Sequence, residues 1–238
     1  MRELSTPFEN AAPIAVPRLV HFVRQVTHDV RNGLNAIDLQ AAFIAEIAGE
    51  GEVAEELGKL RRMVTHVTHG MQELSGRFGE LRPTVMMYPV EEFMQGLKEA
   101  VEKEFETQAK RIVWEVKLGD EEMEMDYQLL QNVLLELISN AIFFREGDQA
   151  IHCTAWSEKG TVHFEVRQTK AQPVTDADQW GRQPLVSSRR GGYGLGLFYV
   201  RRVLDVLGGG FEPGYDAKTA ELKVRFCLPV KSAGMPAP

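Results

Sequence analysis

The first third of the chain carries two long stretches in which apolar residues recur every three or four positions. The first stretch begins at Pro17 and stops before the glycine-containing residues 49–52, which is the pattern of a helix with one apolar face. The second stretch alternates steps of three and four, which is typical of a coiled-coil or helical-bundle seam. Its seam residues are Leu57, Leu60, Val64, Val67, Met71, Leu74 and Phe78. The pattern predicts an antiparallel helical hairpin over residues 17–80.

A lone hairpin with two wide apolar faces buries too little apolar surface to be stable by itself. Pairing of two hairpins in a homodimer would complete a four-helix bundle and cover both faces. The alternative is that the hairpin packs only on the C-terminal part of its own chain. We expect the dimeric four-helix bundle.

The pattern changes near residues 79–83, after which short alternating stretches are interleaved with amphipathic ones. Strands are predicted at 84–88, 111–117, 150–157, 161–168 and 222–228, and helices at 90–109, 129–144 and 194–207. The acidic residues 120–126 are expected to form a solvated loop before a helix. The sequence predicts an α+β protein with an irregular lead (1–16), the hairpin, a mixed α/β sandwich (84–230) with its helices on one face, and a tail (231–238).

Composition excludes several classes of protein. Lys and Arg number 27 against 34 Asp and Glu, a net charge of −7, which argues against a nucleic-acid binder. The cysteines, Cys153 and Cys227, are too few for a disulfide scaffold. No apolar run approaches the ~20 residues needed to cross a bilayer. We expect a cytoplasmic protein without membrane insertion, so that any membrane sensor would be a separate protein.

The first candidate site lies on the first predicted helix, in the motif THDVRNGLNAI of residues 27–37. His28 is two residues from both Val26 and Val30 of the apolar stripe, which places it roughly 200° around the helix from each. The imidazole should therefore face solvent. Asp29 follows it directly and the carboxamide of Asn32 lies one turn further on, so these three side chains are a candidate catalytic group.

The second candidate is Asn140, a polar residue inside the strongly apolar motif LLELISNAI of residues 134–142. A buried carboxamide needs hydrogen-bond partners. Two interpretations remain open, since neighbouring backbone groups could satisfy the side chain or it could bind a cation held on phosphates.

The third candidate is the motif RRGGYGLGLFYV of residues 189–200, which leads into a predicted helix. Closely spaced glycines let backbone N–H groups approach phosphate oxygens, and a helix N-terminus favours an anion. The candidate phosphate-binding residues are Arg189, Arg190, Gly192, Gly194 and Gly196.

Together these three motifs resemble the core of two-component sensor histidine kinases, in order and in separation, over residues 17–230. The first is similar to the family's H box, the second to its N box and the third to its second glycine box. The irregular residues 169–190 correspond to the nucleotide lid, where Trp180 and Pro184 resemble an aromatic-and-proline stretch. The resemblance implies a dimerisation and histidine-phosphotransfer hairpin followed by an ATP-binding domain of the GHKL, or Bergerat, type.

The resemblance also implies an activity, with ATP and Mg²⁺ as cofactors. His28 would be autophosphorylated from ATP, Asp29 would accept a proton from its ring, and Asn32 would orient water for the reverse dephosphorylation. Asn140 would help to hold the metal on the nucleotide. The partner would be the receiver domain of a response regulator, whose aspartate takes the phosphoryl group from the homodimer.

Several residues depart from the family's pattern. Gln168 stands where the family has an aspartate that reads the adenine amino group, and Lys170 and Gln172 stand where glycines follow it. Phe143 takes a position that is often basic. Loss of a charge-assisted hydrogen bond costs about 1.5–3 kcal/mol, which corresponds to a nucleotide site roughly 10- to 150-fold weaker.

These departures leave two alternatives to the kinase. One is a histidine phosphotransferase that has lost the use of ATP and relays phosphate between receivers through His28. The other is a binding module or a non-kinase ATPase of the same fold in which Glu136 activates water, but this alternative leaves the motif around His28 unexplained.

Overall fold

The computed structural model describes residues 15–119, 121–189 and 193–230, apart from the side chains of Val16, His69, Gln72 and Glu73. The chain forms two compact units, which divide between Glu80 and Leu81. The predicted tail (231–238) and all but the last two residues of the predicted lead lie outside the described residues.

The N-terminal unit is a helical hairpin of α1 (Val16–Ala48) and α2 (Glu52–Phe78). Pro17 lies in the first turn of α1, where its missing N–H leaves no helical hydrogen bond unmade. Where the two helices pack together, Ala41 and Val64 are buried. A salt bridge of 2.8 Å between Arg61 Nε and Asp38 Oδ1 joins the helices, and this hydrogen bond lowers the pKa of Asp38.

Much of the predicted apolar stripe remains exposed in the single hairpin. The side chains concerned are between 38% and 47% exposed. They are Val26, Val30, Ile37 and Ile44 of α1 and Leu60 and Val67 of α2. The hairpin alone therefore leaves an apolar face without cover.

The C-terminal unit combines three α-helices with two sheets among its described residues. The helices are α3 (Val90–Phe105), α4 (Tyr127–Phe143) and α5 (Gly196–Val206). The strands are β1 (Met86–Pro89), β2 (Ile112–Lys117), β3 (Glu122–Met125), β4 (Ile151–Glu158), β5 (Thr161–Thr169), β6 (Gly210–Asp216) and β7 (Glu221–Pro229). The main sheet has the order β2-β4-β5-β7-β6, with β2 and β4 parallel and the other neighbours antiparallel, and β1 pairs separately with β3.

The core lies between one face of the main sheet and the three helices. Every second residue of β5 and β7 is buried, as expected for strands with one covered face. Phe164 and Phe226 stack at 4.8 Å between ring centroids in the middle of this layer, and Phe93 of α3 meets Phe164 edge-on at 6.2 Å. The α+β class and the sandwich with its helices on one face are confirmed.

Two strands differ from the prediction. The acidic stretch was expected to be a loop, but Glu122–Met125 forms β3, because Met123 and Met125 alternate with the acids and are fully buried. Strand β6 was not predicted, because glycines and Pro213 interrupt its pattern. Proline is tolerated there because β6 is an edge strand, paired only with β7.

Asp126 fixes the start of α4, the helix that carries the second motif. Its Oδ1 accepts a hydrogen bond of 3.0 Å from the Leu129 N–H, and its Oδ2 accepts one of 2.7 Å from the Thr84 N–H. One carboxylate therefore caps the helix and ties the segment before β1 to it.

We predict that Asp126→Ala lowers the free energy of unfolding of the C-terminal unit by about 1–2 kcal/mol, because it removes the cap. Asp126→Asn is the matched control and should lose less, since asparagine also caps helices. Urea unfolding followed by tryptophan fluorescence reports on this unit alone, because Trp114, Trp156 and Trp180 are the only tryptophans. An alanine variant as stable as the natural protein would show that the cap contributes nothing.

Candidate functional site

His28 lies on the surface of α1, as the sequence predicts, with 66% of its side chain exposed. Its Nδ1 is 3.2 Å from Asp29 Oδ1 and 3.4 Å from Asn32 Nδ2. A carboxylate only accepts hydrogen bonds, so pairing with Asp29 requires the tautomer with a proton on Nδ1, which leaves the lone pair of Nε2 free. In that tautomer Asn32 Nδ2, itself a donor, lies beside Nδ1 without a hydrogen bond to it. The predicted triplet is therefore together, with Nε2 available to an electrophile.

The residue before it, Thr27, is buried and holds the histidine's position along the helix. Its hydroxyl donates to the carbonyls of Val23, at 2.8 Å, and Arg24, at 2.9 Å. Satisfying the hydroxyl within its own helix lets the chain bury a polar residue beside an exposed one.

In the C-terminal unit, the structure brings Asn140 and Gly196 together through Glu136. Asn140 is partly buried, and its Nδ2 donates to Glu136 Oε1 at 3.4 Å. A Cβ on Gly196 would overlap the carboxylate of Glu136, so the glycine leaves room for this flexible side chain beside the start of α5. The second and third sequence motifs therefore meet at Glu136, whose carboxylate lies beside both Asn140 and Gly196.

Gly194 holds the end of the lid segment against the glycine motif. Its φ is +67°, and a Cβ there would overlap the backbone of Leu185 and Val186. The Leu185 N–H donates to the Gly194 carbonyl at 2.9 Å. The two other predicted phosphate ligands of this segment, Arg190 and Gly192, lie outside the described residues.

Arg189 brings a positive charge to the C-terminal end of α4. Its guanidinium carbon lies 4.4 Å from the centre of the Phe143 ring, and its Nη1 is 3.4 Å from Ser139 Oγ. The position of Phe143 is often basic in the family that the motifs resemble. Arg189 therefore places a cation where the sequence of α4 itself has none.

Gln168 lies at the end of β5, on the face of the sheet that the helices cover. It is 6% exposed, and its Oε1 is buried without a hydrogen-bond partner among the described residues. An unsatisfied buried acceptor costs about 1–3 kcal/mol. The site thus retains an acceptor for an incoming N–H donor, although the acceptor is an uncharged carbonyl.

Lys170 is a buried cation that the site prediction did not include. Its Nζ donates to the Phe144 carbonyl and lies 3.7 Å from Glu146 Oε1, while Glu146 Oε2 accepts from the Ala171 N–H at 2.7 Å. Burial lowers the pKa of Lys170, and the nearby Glu146 opposes that shift. The alternation of inward residues along β5, continued by one step beyond Gln168, would have predicted its burial.

The donor set fits a nucleotide with a divalent cation better than a resident metal. Among the described residues, no group of three His, Cys, Asp or Glu side chains could hold a metal ion. Asn140 and Glu136 offer the oxygen ligands that Mg²⁺ prefers, but too few to bind it without phosphate oxygens. No helix within the described parts of the chain is long and apolar enough to span a membrane.

Comparison with protein families identifies the C-terminal unit. Residues 125–232 match the family described as histidine kinase-, DNA gyrase B-, and HSP90-like ATPase. The match covers α4, Gln168 and the glycine motif. The unit is therefore a histidine kinase-like ATPase domain.

Solved structures extend the similarity to the hairpin. Full-length ShkA in complex with AMPPNP superposes with a TM-score of 0.69 at 20% identity, covering 91% of this chain and 47% of ShkA. The histidine kinase AdeS of Acinetobacter baumannii gives 0.52 at 15% identity, covering 86% and 98%, and the mycobacterial sensor histidine kinase MprB gives 0.52 at 17%, covering 62% and 99%. No curated protein matches the chain by sequence.

These neighbours confirm the predicted fold of a sensor histidine kinase core. The chain spans about half the length of ShkA, and identities of 15–20% carry the fold alone. The roles of the site residues therefore rest on their own geometry. These residues are His28, Asp29 and Asn32 in one unit and Asn140, Gln168 and the glycines in the other.

Proposed function

We propose that the chain is a histidine kinase of two-component signalling, which autophosphorylates His28 from ATP and passes the phosphoryl group to an aspartate of a response-regulator receiver domain. The observation that carries this proposal is the exposed His28 imidazole, whose Nδ1 is held by Asp29 while Nε2 stays free. It occurs in the same chain as a histidine kinase-like ATPase domain.

The nucleotide would be held by groups from three elements. Backbone N–H groups around Gly194 and Gly196, with Gly192 between the arginines and the helix, would bind phosphate oxygens. Arg189 adds positive charge to this side of the site, and Arg190, its neighbour in the sequence, would add a second. At the opposite end, the unpartnered Oε1 of Gln168 would accept a hydrogen bond from the adenine amino group.

Asn140 would hold Mg²⁺ on the nucleotide, with Glu136 next to it. When bound, the metal would neutralise charge on the phosphates as the terminal phosphoryl group departs. The Asn140 Nδ2 donates to Glu136, which leaves the carbonyl oxygen of the amide as the ligand atom. The Glu136 carboxylate would supply a second oxygen for the cation.

In the transfer step, Nε2 of His28 would attack the γ-phosphorus in line with the bridging oxygen. A bond from Nε2 to phosphorus forms, the bond from phosphorus to the bridging oxygen breaks, and ADP leaves with the electron pair. Asp29 accepts the Nδ1 proton, which keeps the lone pair of Nε2 available during attack. In the reverse direction, Asn32 would orient a water molecule towards the phosphorylated histidine.

A second copy of the chain would cover the apolar face of the hairpin. Six residues of the two stripes are at least 38% exposed in the single chain, and each large side chain buried contributes about 1.5–3 kcal/mol. Two such faces are self-complementary about a two-fold axis, as a four-helix bundle requires. We therefore propose a homodimer that acts in the cytoplasm.

A second candidate is a histidine phosphotransferase with an inactive ATPase domain. Lys170 favours it, because this buried side chain fills a position where the family has a glycine, and Gln168 removes the charged adenine ligand. Such a protein would keep His28 and its receiver partners but would not be loaded from ATP.

We predict that ATP labelled at the γ-phosphate transfers label to the protein in the presence of Mg²⁺ and that His28→Gln abolishes it. The label should be acid-labile and base-stable, as a phosphoramidate is. Asn35→Gln is a control on the same helix and should label normally. Label retained in the His28 variant would place the acceptor elsewhere, whereas label acquired only from a phosphorylated receiver would identify the phosphotransferase.

We predict weak ATP binding with little preference over GTP, because Gln168 reads adenine without charge. Gln168→Asp should tighten ATP at least about tenfold and sharpen the preference for ATP. Gln168→Leu, which removes the acceptor, should remove the remaining preference. Calorimetric titration of both nucleotides into each form measures this. Tight, ATP-selective binding by the leucine variant would mean that another residue reads the base.

We predict that the chain sediments at micromolar concentration as a species of twice 26.8 kDa. We expect a dimer because the exposed apolar stripe needs a partner. The double variant Val30→Glu with Ile37→Glu should shift the protein towards monomer, because dimerisation would then bury charged side chains at the seam. Leu39→Glu is the matched control, because Leu39 is 74% exposed but does not belong to the stripe. A purely monomeric natural chain would contradict the proposed bundle.

A further inference from the structure

The described part of the lid segment, residues 169–189, divides into a packed half and an exposed half. In the first half, Val174 and Trp180 pack against the core and Ala177 is buried, at 7% exposure. In the second half, Leu185 and Val186 are 53% and 70% exposed. The change occurs at residues 181–182, so the lid is not uniformly attached to the domain.

Arg201 of α5 contacts the last residues of the packed half. Its Nε donates to the Trp180 carbonyl, and its Nη2 donates to the Asp178 carbonyl at 3.1 Å. Its guanidinium carbon lies 4.9 Å from the centre of the Phe211 ring in β6. One side chain therefore ties the lid backbone to a helix and to the edge strand of the sheet.

The planar guanidinium suits this place, because its several N–H groups reach two carbonyls at once while its face lies on an aromatic ring. Partial burial lowers the pKa of Arg201, and the nearby charge of Arg182 acts in the same direction. The guanidinium has thus lost part of its hydration. Its hydrogen bonds to two carbonyls and its contact with the Phe211 ring compensate for that loss.

The backbone beside the clamp is equally close to α5. Gly181 has a φ of +71°, and a Cβ there would overlap the Leu197 carbonyl. Beyond it, the next backbone attachment is the hydrogen bond of 2.9 Å from the Leu185 N–H to the Gly194 carbonyl. Leu185 also adopts a left-handed conformation, with a φ of 66°, which is costly for a leucine.

We propose that Arg201 is a positioning residue, which anchors the first half of the lid so that, within the described lid, only residues 183–189 rearrange when a nucleotide binds. The rearrangement on nucleotide binding rests on the proposed nucleotide-binding function, whereas the anchoring of the lid by Arg201 does not. A short mobile flap on a fixed base loses less conformational entropy on closing than a free lid of full length would lose.

Hydrogen exchange on the full chain without nucleotide tests the anchor. The amides of Gln179, Trp180 and Arg182 donate within the packed half, so their protection reports its attachment. In Arg201→Met, peptides covering residues 174–182 should exchange about tenfold faster, because the variant keeps the aliphatic stem but loses both carbonyl bonds. Arg201→Lys should fall between, since an ammonium lacks the planar fork.

Arg202→Met is the matched control, because it removes the same charge from the next position of α5, where the guanidinium lies 5.9 Å from the Phe198 ring. It should leave residues 174–182 protected. Peptides from β5 and β7 should exchange normally in every variant, which excludes general unfolding. Unchanged protection of residues 174–182 in Arg201→Met would overturn the anchor.

Calorimetric titration with MgATP tests the link to nucleotide binding. If only the chain with an anchored lid binds MgATP, the dissociation constant for MgATP should rise in proportion to the fraction of chains that lose the anchor. We expect a rise of about tenfold in Arg201→Met and a much smaller rise in Arg202→Met. Faster exchange without weaker binding would contradict a positioning role. A natural protein that binds no nucleotide would refute both that role and the proposed kinase, while the exchange result still decides whether Arg201 anchors the lid.

Discussion

Burial of one face of α4 fixes how this helix is rotated, and that rotation decides which side chains the C-terminal site receives from it. Six of its residues are buried: Leu130, Val133, Leu134, Leu137, Ile138 and Ala141. Each large side chain contributes about 1.5–3 kcal/mol, so rotating the helix by one residue, roughly 100°, would cost far more than any single contact at the rim provides. With that face fixed, Glu136, Asn140 and Phe143, at i, i+4 and i+7, must share the side of the helix that meets the glycine motif and Arg189.

The two ends of the proposed nucleotide site have different chemistry. On the proposed phosphate side, Gly196 lies against the Glu136 carboxylate, which accepts from Asn140, and the Arg189 guanidinium lies on the Phe143 ring of the same helix. On the base side, Gln168 offers an uncharged acceptor, and Lys170 is already committed to the Phe144 carbonyl and Glu146. Most of the binding free energy of the nucleotide should therefore come from its phosphates and the metal. A weak kinase and a phosphotransferase then differ in how tightly this site binds ATP.

Sequence reasoning succeeded where a local pattern decides the structure and failed where distant partners do. The alternating spacing of α2 and the apolar run of α4 predicted both helices, because burial of one face leaves few other solutions. Strand β3 was not predicted, because the run of acids is typical of an exposed loop, although Met123 and Met125 alternate with those acids as in a strand. Strand β6 carries no strand pattern and exists through its pairing with β7. Arg201 could not be predicted to hold carbonyls 21 and 23 residues away, because no motif specifies that contact.

In the function proposed above, this ATPase-type domain binds a nucleotide between α4, β5 and the glycine motif. Nuclear magnetic resonance of the side-chain amides of Gln168 and Asn140 during titration with MgATP tests it most directly. We expect the resonances of both side-chain amides to shift, together with those of the backbone amides of Gly194 and Gly196. The side-chain amide of Gln95, which donates to Glu99, should keep its resonance unchanged. Gln168 and Asn140 signals that do not move at millimolar MgATP would contradict it.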